Sequence, residues 1–158
     1  MTPAQINFAL AKLKPNADES EVLYGIPSSF TVAQACLESN WLTSKLAVNA
    51  GNLFGVKADK SWTGDVLSLP TKEQLKDGTW ITIEAKWRMY ASIAECLKDH
   101  AKFFQVNPRY HAALAFPHDG KQFAVEIAKA GYATDQQYAQ KLLSIIRTHK
   151  LTDVGATK

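Results

Sequence analysis

Of the fifteen acidic residues in this 158-residue chain, Glu38 has the setting best suited to chemistry. Ala33, Cys36, Leu37 and Trp41 around it recur at helical spacing. On a helix at about 100° per residue, Glu38 falls roughly 60° from both Ala35 and Trp41, at the margin of the apolar face. Partial burial disfavours the ionised form of a carboxyl group. A carboxyl kept protonated near neutrality is what the general acid of a glycosidase requires. Position alone describes equally well a boundary glutamate that points to water.

Glycosidic hydrolysis commonly uses a second carboxylate across the sugar. Asp65, Glu73, Asp77 and Glu84 all lie in the middle third of the chain. Glu84 falls on the polar side of a regular strand pattern, whereas Glu73 sits in Thr71-Lys72-Glu73, a stretch read as a loop. Spacing does not choose between them. Trp41, Trp62, Trp80, Trp87, Tyr90, Tyr110, Tyr132 and Tyr138 offer flat faces for sugar rings, although core packing accounts for many of them as well.

Other chemistries find less support. His100, His111, His118 and His149 lack metal-ligand spacing with cysteines or carboxylates, so neither a metal nor another cofactor is expected. Ser28, Ser29 and Ser39 have no nucleophile-elbow context, and no glycine-rich phosphate loop occurs. Cys36 and Cys96 lie in apolar helical settings and read as two buried free thiols.

The elements that must position these groups divide the chain into thirds. A first helix is expected from Pro3, with Ile6, Phe8, Leu10 and Leu13 as its apolar residues and Pro15 as its end. Gly25-Ile26-Pro27-Ser28-Ser29 then starts the helix of Glu38, with the serines available as caps. In the middle third the period changes: Ile81, Ile83, Ala85 and Trp87 alternate with polar residues, as in a half-buried strand. Val66 to Leu69 is its shorter partner, Pro70 to Lys76 a loop or strand end, and Asp77-Gly78 the turn. Ser92 and Glu95 form a capping box before the stripe Ile93, Cys96, Leu97, Ala101 and Phe104. A further helix around Phe123 and Ile127 closes at Gly131, and Asp135 can cap a last one bearing Tyr138, Leu142 and Ile146. The plan is α+β, mostly helical with one small β lobe, which suits a groove between lobes.

Length fits one domain over residues 1–158, and 46% hydrophobic residues can furnish its core. A net charge of +3 fits an ordinary basic surface and also approach to an anionic polymer. No run of Lys and Arg interleaved with aromatics points to nucleic acid. The N-terminal residues lack a signal-peptide pattern, and no apolar run has the length of a membrane span, so a soluble monomer is expected.

Six blocks in order resemble glycoside hydrolase family 73, the endo-β-N-acetylglucosaminidases that include flagellar-type peptidoglycan hydrolase domains. Ala33-Gln34-Ala35-Cys36-Leu37-Glu38-Ser39-Asn40-Trp41 is similar to the family's "AQAxLESGW". Asn52-Leu53-Phe54-Gly55-Val56-Lys57-Ala58 resembles "NLFGIKA" and is followed by Trp62 and Gly64. Ala85-Lys86-Trp87-Arg88-Met89-Tyr90, Asn107-Pro108-Arg109-Tyr110 and Ala130-Gly131-Tyr132-Ala133-Thr134-Asp135, leading to Tyr138-Ala139, complete the series over roughly residues 25–150. Asn40 and Leu42 stand where the family favours Gly, Trp87 where it has Phe, and Gln136 where Pro is frequent.

The resemblance implies a lysozyme-like fold in which a β-hairpin lobe flanks a substrate groove, with peptidoglycan as partner. It assigns Glu38 as catalytic acid and Glu73 as the second carboxylate, one inserted residue making the Glu73 match looser. Tyr132 would line the groove, with Asn52, Trp62 and Tyr110 as support or substrate contacts. The bond implied joins N-acetylglucosamine to N-acetylmuramic acid. A muramidase or lytic transglycosylase using the same glutamate, or a non-catalytic wall-binding module, is the alternative. A hydrolase domain of this kind without a signal peptide resembles a phage or prophage endolysin, held in the cytoplasm until release to the periplasmic or extracellular wall.

Overall fold

The computed structural model describes residues 1–155. Among the described residues there are six α-helices, with α2 central: α1 (Pro3–Tyr24), α2 (Ser28–Ser39), α3 (Lys45–Ala50), α4 (Ile93–Val106), α5 (Gly120–Lys129) and α6 (Tyr138–Thr148). Between α3 and α4, β1 (Val66–Gln74) and β2 (Trp80–Arg88) form an antiparallel hairpin. The architecture is the expected α+β plan. Among the described residues, no helix is long and apolar enough to cross a membrane.

Helix α2 is the spine because two cores meet on it. Phe30 and Ala33 pack with Phe104, Phe123, Ile127 and Leu142 on one side. Val32, Ala35 and Cys36 pack with Leu13, Leu53, Cys96 and Leu97 on the other. Only Leu37 and Glu38, in its last turn, escape full burial. A helix clamped over most of its length holds its exposed end in one place, and that end carries Glu38.

Several local expectations are corrected by long-range contacts. Helix α1 does not stop at Pro15 but continues to Tyr24. Ala9, Leu13, Ala17, Ser20 and Glu21 make one buried stripe on both sides of the proline, while Pro15 itself faces water. Solvent can then satisfy the carbonyl that the missing N–H leaves free. Neither Ser28 nor Ser29 caps α2: Pro27 holds the cap position without a side-chain bond. The Ser28 amide donates instead to Glu21 Oε1 (2.8 Å) and the Ser29 amide to Asp153 Oδ1 (2.8 Å). Helix α6 likewise starts at Tyr138 without a side-chain cap, and Asp135 accepts the Gln137 amide one turn earlier (2.8 Å). The Ser92 cap on the Glu95 amide is present at 3.1 Å.

The hairpin is longer than alternation in β1 suggests. β1 runs through Pro70 to Gln74, so Glu73 lies on a strand rather than in a loop. Pro70 is tolerated because β1 is an edge strand, and the turn at Asp77-Gly78 closes the arm. Its base is held by Arg88, which donates to Asp99 Oδ2 (2.8 Å) and the Lys57 carbonyl (3.1 Å). Cys36 and Cys96 are buried free thiols, as expected.

Candidate active site

Glu38 sits one residue before the end of α2 and is exposed, not half-buried as its helical position suggests. The apolar stripe ends one turn too early to cover it. Its carboxylate is nevertheless held. Tyr138, reached from α6, donates its hydroxyl to Glu38 Oε1 at 2.8 Å. Burial pushes the Tyr138 phenol above its ordinary range, with the nearby Glu38 charge adding to that effect, so it stays protonated and a donor. Among the described residues, Oε2 has no hydrogen-bond partner.

Behind Tyr138 the polar contacts continue inward. Gln34 Nε2 donates to the Tyr138 oxygen at 3.0 Å, and His100 Nε2 contacts Gln34 Oε1 at 2.5 Å. Tyr132 stacks on Tyr138, with ring centroids 5.4 Å apart and planes at 27°. Burial first, and the Glu38 charge second, raise the Tyr132 phenol. Tyr132 thus adjoins the carboxylate and remains partly accessible, as a groove residue must.

A cleft of about 640 Å³ opens in front of Tyr132, between the hairpin base and α4. Phe54, Trp62, Arg88, His100, Phe103 and Asn107 are among the residues that line it. Trp62 is fixed there by Nε1–H donation to the Asp65 carbonyl (2.8 Å) and by the Arg88 guanidinium 5.0 Å from its ring centroid. Flat aromatic faces beside a few polar groups suit a sugar ring. Glu38 does not line this cleft; it is joined to it through Tyr132 and Tyr138.

The remaining expected site residues fall elsewhere. Asn52 is buried: its amide donates to the Val56 and Arg88 carbonyls and its oxygen accepts the Val56 amide. All its polar atoms brace the loop to β2, so it supports the lobe rather than touching substrate. Tyr110 is also buried, packed against Phe103, Phe104 and Tyr132, and backs the groove instead of lining it. Glu73 is exposed near the outer end of the hairpin, with no hydrogen bond to Glu38. Tyr138, which the sequence offered only as a helix-face residue and one of several aromatics, is the direct neighbour of Glu38. A tyrosine on a buried helix face does carry a signal, because its hydroxyl needs a partner.

A mostly helical domain with a small hairpin, and a carboxylic acid beside an aromatic cleft, defines a lysozyme-like glycoside hydrolase. The sequence profile of the mannosyl-glycoprotein endo-β-N-acetylglucosaminidase family matches residues 14–151, and the chain belongs to that family. The peptidoglycan hydrolase FlgJ of Vibrio cholerae is 40% identical over 139 residues, which are 86% of this chain and 41% of the relative. The chain thus spans about half the length, or less, of the curated relatives it matches. A C-terminally truncated glycoside hydrolase domain of Salmonella typhimurium FlgJ superposes with a TM-score of 0.79 at 38% identity, over 92% of this chain and 97% of that one. The catalytic domain of the autolysin Auto from Listeria monocytogenes gives 0.82 at 30% identity, over 95% and 87%.

Proposed function

We propose that this protein hydrolyses the β-1,4 bond between N-acetylglucosamine and N-acetylmuramic acid in peptidoglycan, with Glu38 as the general acid. The observation that carries this reading is the Tyr138 bond to Glu38 Oε1 beside the Tyr132 face of the cleft. Glu38 Oε2–H gives its proton to the glycosidic oxygen as the C1–O bond breaks, and the leaving sugar departs as an alcohol. Charge spreads over an oxocarbenium-like centre at C1, to which a water oxygen then adds. Glu73 takes the proton of that water, or the substrate's own acetamido oxygen first closes on C1 and water opens the resulting ring, its proton passing to the Glu38 carboxylate.

Because Glu38 is exposed, the dry setting that strengthens proton transfer comes from the glycan itself as it lies across the carboxylate. The substrate lies in the periplasmic or extracellular wall, so release from the cytoplasm, as in an endolysin, completes the proposal. Purified peptidoglycan digested with the protein should yield reducing-end N-acetylglucosamine by mass spectrometry, and Glu38→Gln should abolish the products. Reducing-end N-acetylmuramic acid would indicate a muramidase, and anhydro sugars a lytic transglycosylase. An active Glu38→Gln would remove Glu38 from the reaction.

A further inference from the structure

Helix α4 sends one side chain, His100, into the boundary between the two cores. It lies against Phe54 (ring centroids 3.9 Å apart, planes at 12°) and near Phe30 and Phe104. Burial pushes its imidazole down to about 3, so it is neutral at any working pH. A neutral imidazole has one N–H and one bare nitrogen. Nε2 meets Gln34 Oε1, whereas Nδ1 is buried without a partner.

That unpaired nitrogen decides the direction of every bond in the chain. A buried N–H without an acceptor is rarer and costlier than an unfilled lone pair. The proton therefore belongs on Nε2, which donates to Gln34 Oε1. The Gln34 amide is thereby oriented with its NH₂ toward Tyr138, whose oxygen accepts. With its lone pair engaged, the Tyr138 O–H turns outward to Glu38 Oε1. If the amide were flipped, its oxygen would accept the Tyr138 proton and Glu38 would lose its donor.

We infer that Gln34 and His100 are positioning residues: their buried bonds aim the Tyr138 hydroxyl at Glu38 Oε1, reserving Oε2 as the acid's proton-bearing oxygen. Gln34 is fully buried, and His100, which borders the cleft, is only 4% exposed and is assigned no bond to substrate. Their influence on the acid passes through Tyr138, with the Gln34 amide also within reach of the Tyr132 hydroxyl.

The inference rests on Glu38 being the acid, and its test separates the two claims. Gln34→Leu replaces the amide with a branched alkyl end one atom shorter and removes both hydrogen-bonding groups. It should lower kcat about tenfold, the equivalent of one hydrogen bond to a charged group, and leave KM within about twofold. Added to Tyr138→Phe, it should lower kcat no further, because the same route is already cut. Thr31→Val, on the same helix with a buried unpaired hydroxyl, serves as the control and should match the parent.

If Gln34→Leu does not fold, His100→Phe gives the same reading, since a phenyl ring fits between Phe54 and Phe30. Nitrogen-15 spectra of the parent should show His100 as the Nε2–H tautomer. The Nδ1–H tautomer, a fully active folded Gln34→Leu, or a multiplicative loss in the double variant would each overturn the positioning role. An inactive Glu38→Gln beside a fully active Gln34→Leu removes only this inference. An active Glu38→Gln removes the acid reading beneath it.

Discussion

Glu73 lies directly opposite Ile81, the last pair but one before the hairpin turn. Directly opposed residues share a face, and successive residues alternate. Glu73 is therefore on the face of Leu67, Leu69 and Thr71, which is the face turned toward the body. Glu84, opposite Pro70, is on the other face.

This distinction predicts different outcomes for the two carboxylates. If Glu73 assists the incoming water, Glu73→Gln lowers kcat at least about tenfold on peptidoglycan. Glu84→Gln, a surface change on the outer face, stays within about twofold of the parent. Equal rates for both variants would leave the substrate's acetamido group as the assisting nucleophile.

Tyr138→Phe removes the donor to Glu38 and leaves the Gln34 amide without its acceptor. Kinetics should show kcat down about tenfold, and thermal unfolding a loss of about 1–2 kcal/mol for the buried unpaired amide. A variant that lost stability but kept kcat would show that the hydroxyl serves the fold alone.

Glu21 is the buried knot that ties α1 to the start of α2 and to the chain beyond α6. It accepts from the Ser28 amide (2.8 Å) and the Gly155 amide (2.7 Å), and contacts His118 Nδ1 (2.9 Å). Burial opposes its charge, but these donors and the Val154 amide outweigh that and hold it below its ordinary value of 4.5. A depressed carboxylate contributes stability above 4.5 that is lost as pH falls through the folded value. Glu21→Gln should cost about 2–3 kcal/mol near neutrality. It should also flatten the acid side of the stability profile, measured by denaturant unfolding from pH 3 to 7; an unchanged slope would assign that acid sensitivity to other groups.

Directly after α2, Asn40, Trp41 and Leu42 all have positive φ, at 49°, 57° and 67°. Asparagine bears this conformation better than most residues, and glycine better still. Asn40→Gly should therefore raise stability by up to about 0.5 kcal/mol, while Asn40→Ala should lower it by about 1 kcal/mol. Melting curves of the pair would test this, and the reverse order would mean that the Asn40 side chain holds the turn.

Cys36 and Cys96 have their thiols pushed up to about 12 by burial. Thiolate is the reactive form. A thiol reagent at pH 8 should label neither in the native protein and both after denaturation, and rapid native labelling would reveal local opening of α2 or α4.

Much of this architecture is written locally. The period-2 run from Ile81 to Trp87 yields β2, the Ser92 and Glu95 pattern starts α4, and the apolar run before Glu38 forms the buried spine. Such signals act between residues a few positions apart, where helix and strand geometry alone decide which side chains are neighbours. The ordered blocks also singled out Glu38 and Tyr132. What the sequence left undetermined depends on residues brought together only by packing. Pro15 stays helical because a stripe buried on both sides of it outweighs one lost hydrogen bond. Glu21 and Asp153, not the adjacent serines, satisfy the first amides of α2. Asn52 and Tyr110 are turned inward, and Glu38 outward. Tyr138 meets Glu38 across a hundred residues, and His100 meets Gln34 across sixty-six. No local periodicity encodes those pairings, because they exist only once α4 and α6 have closed on α2.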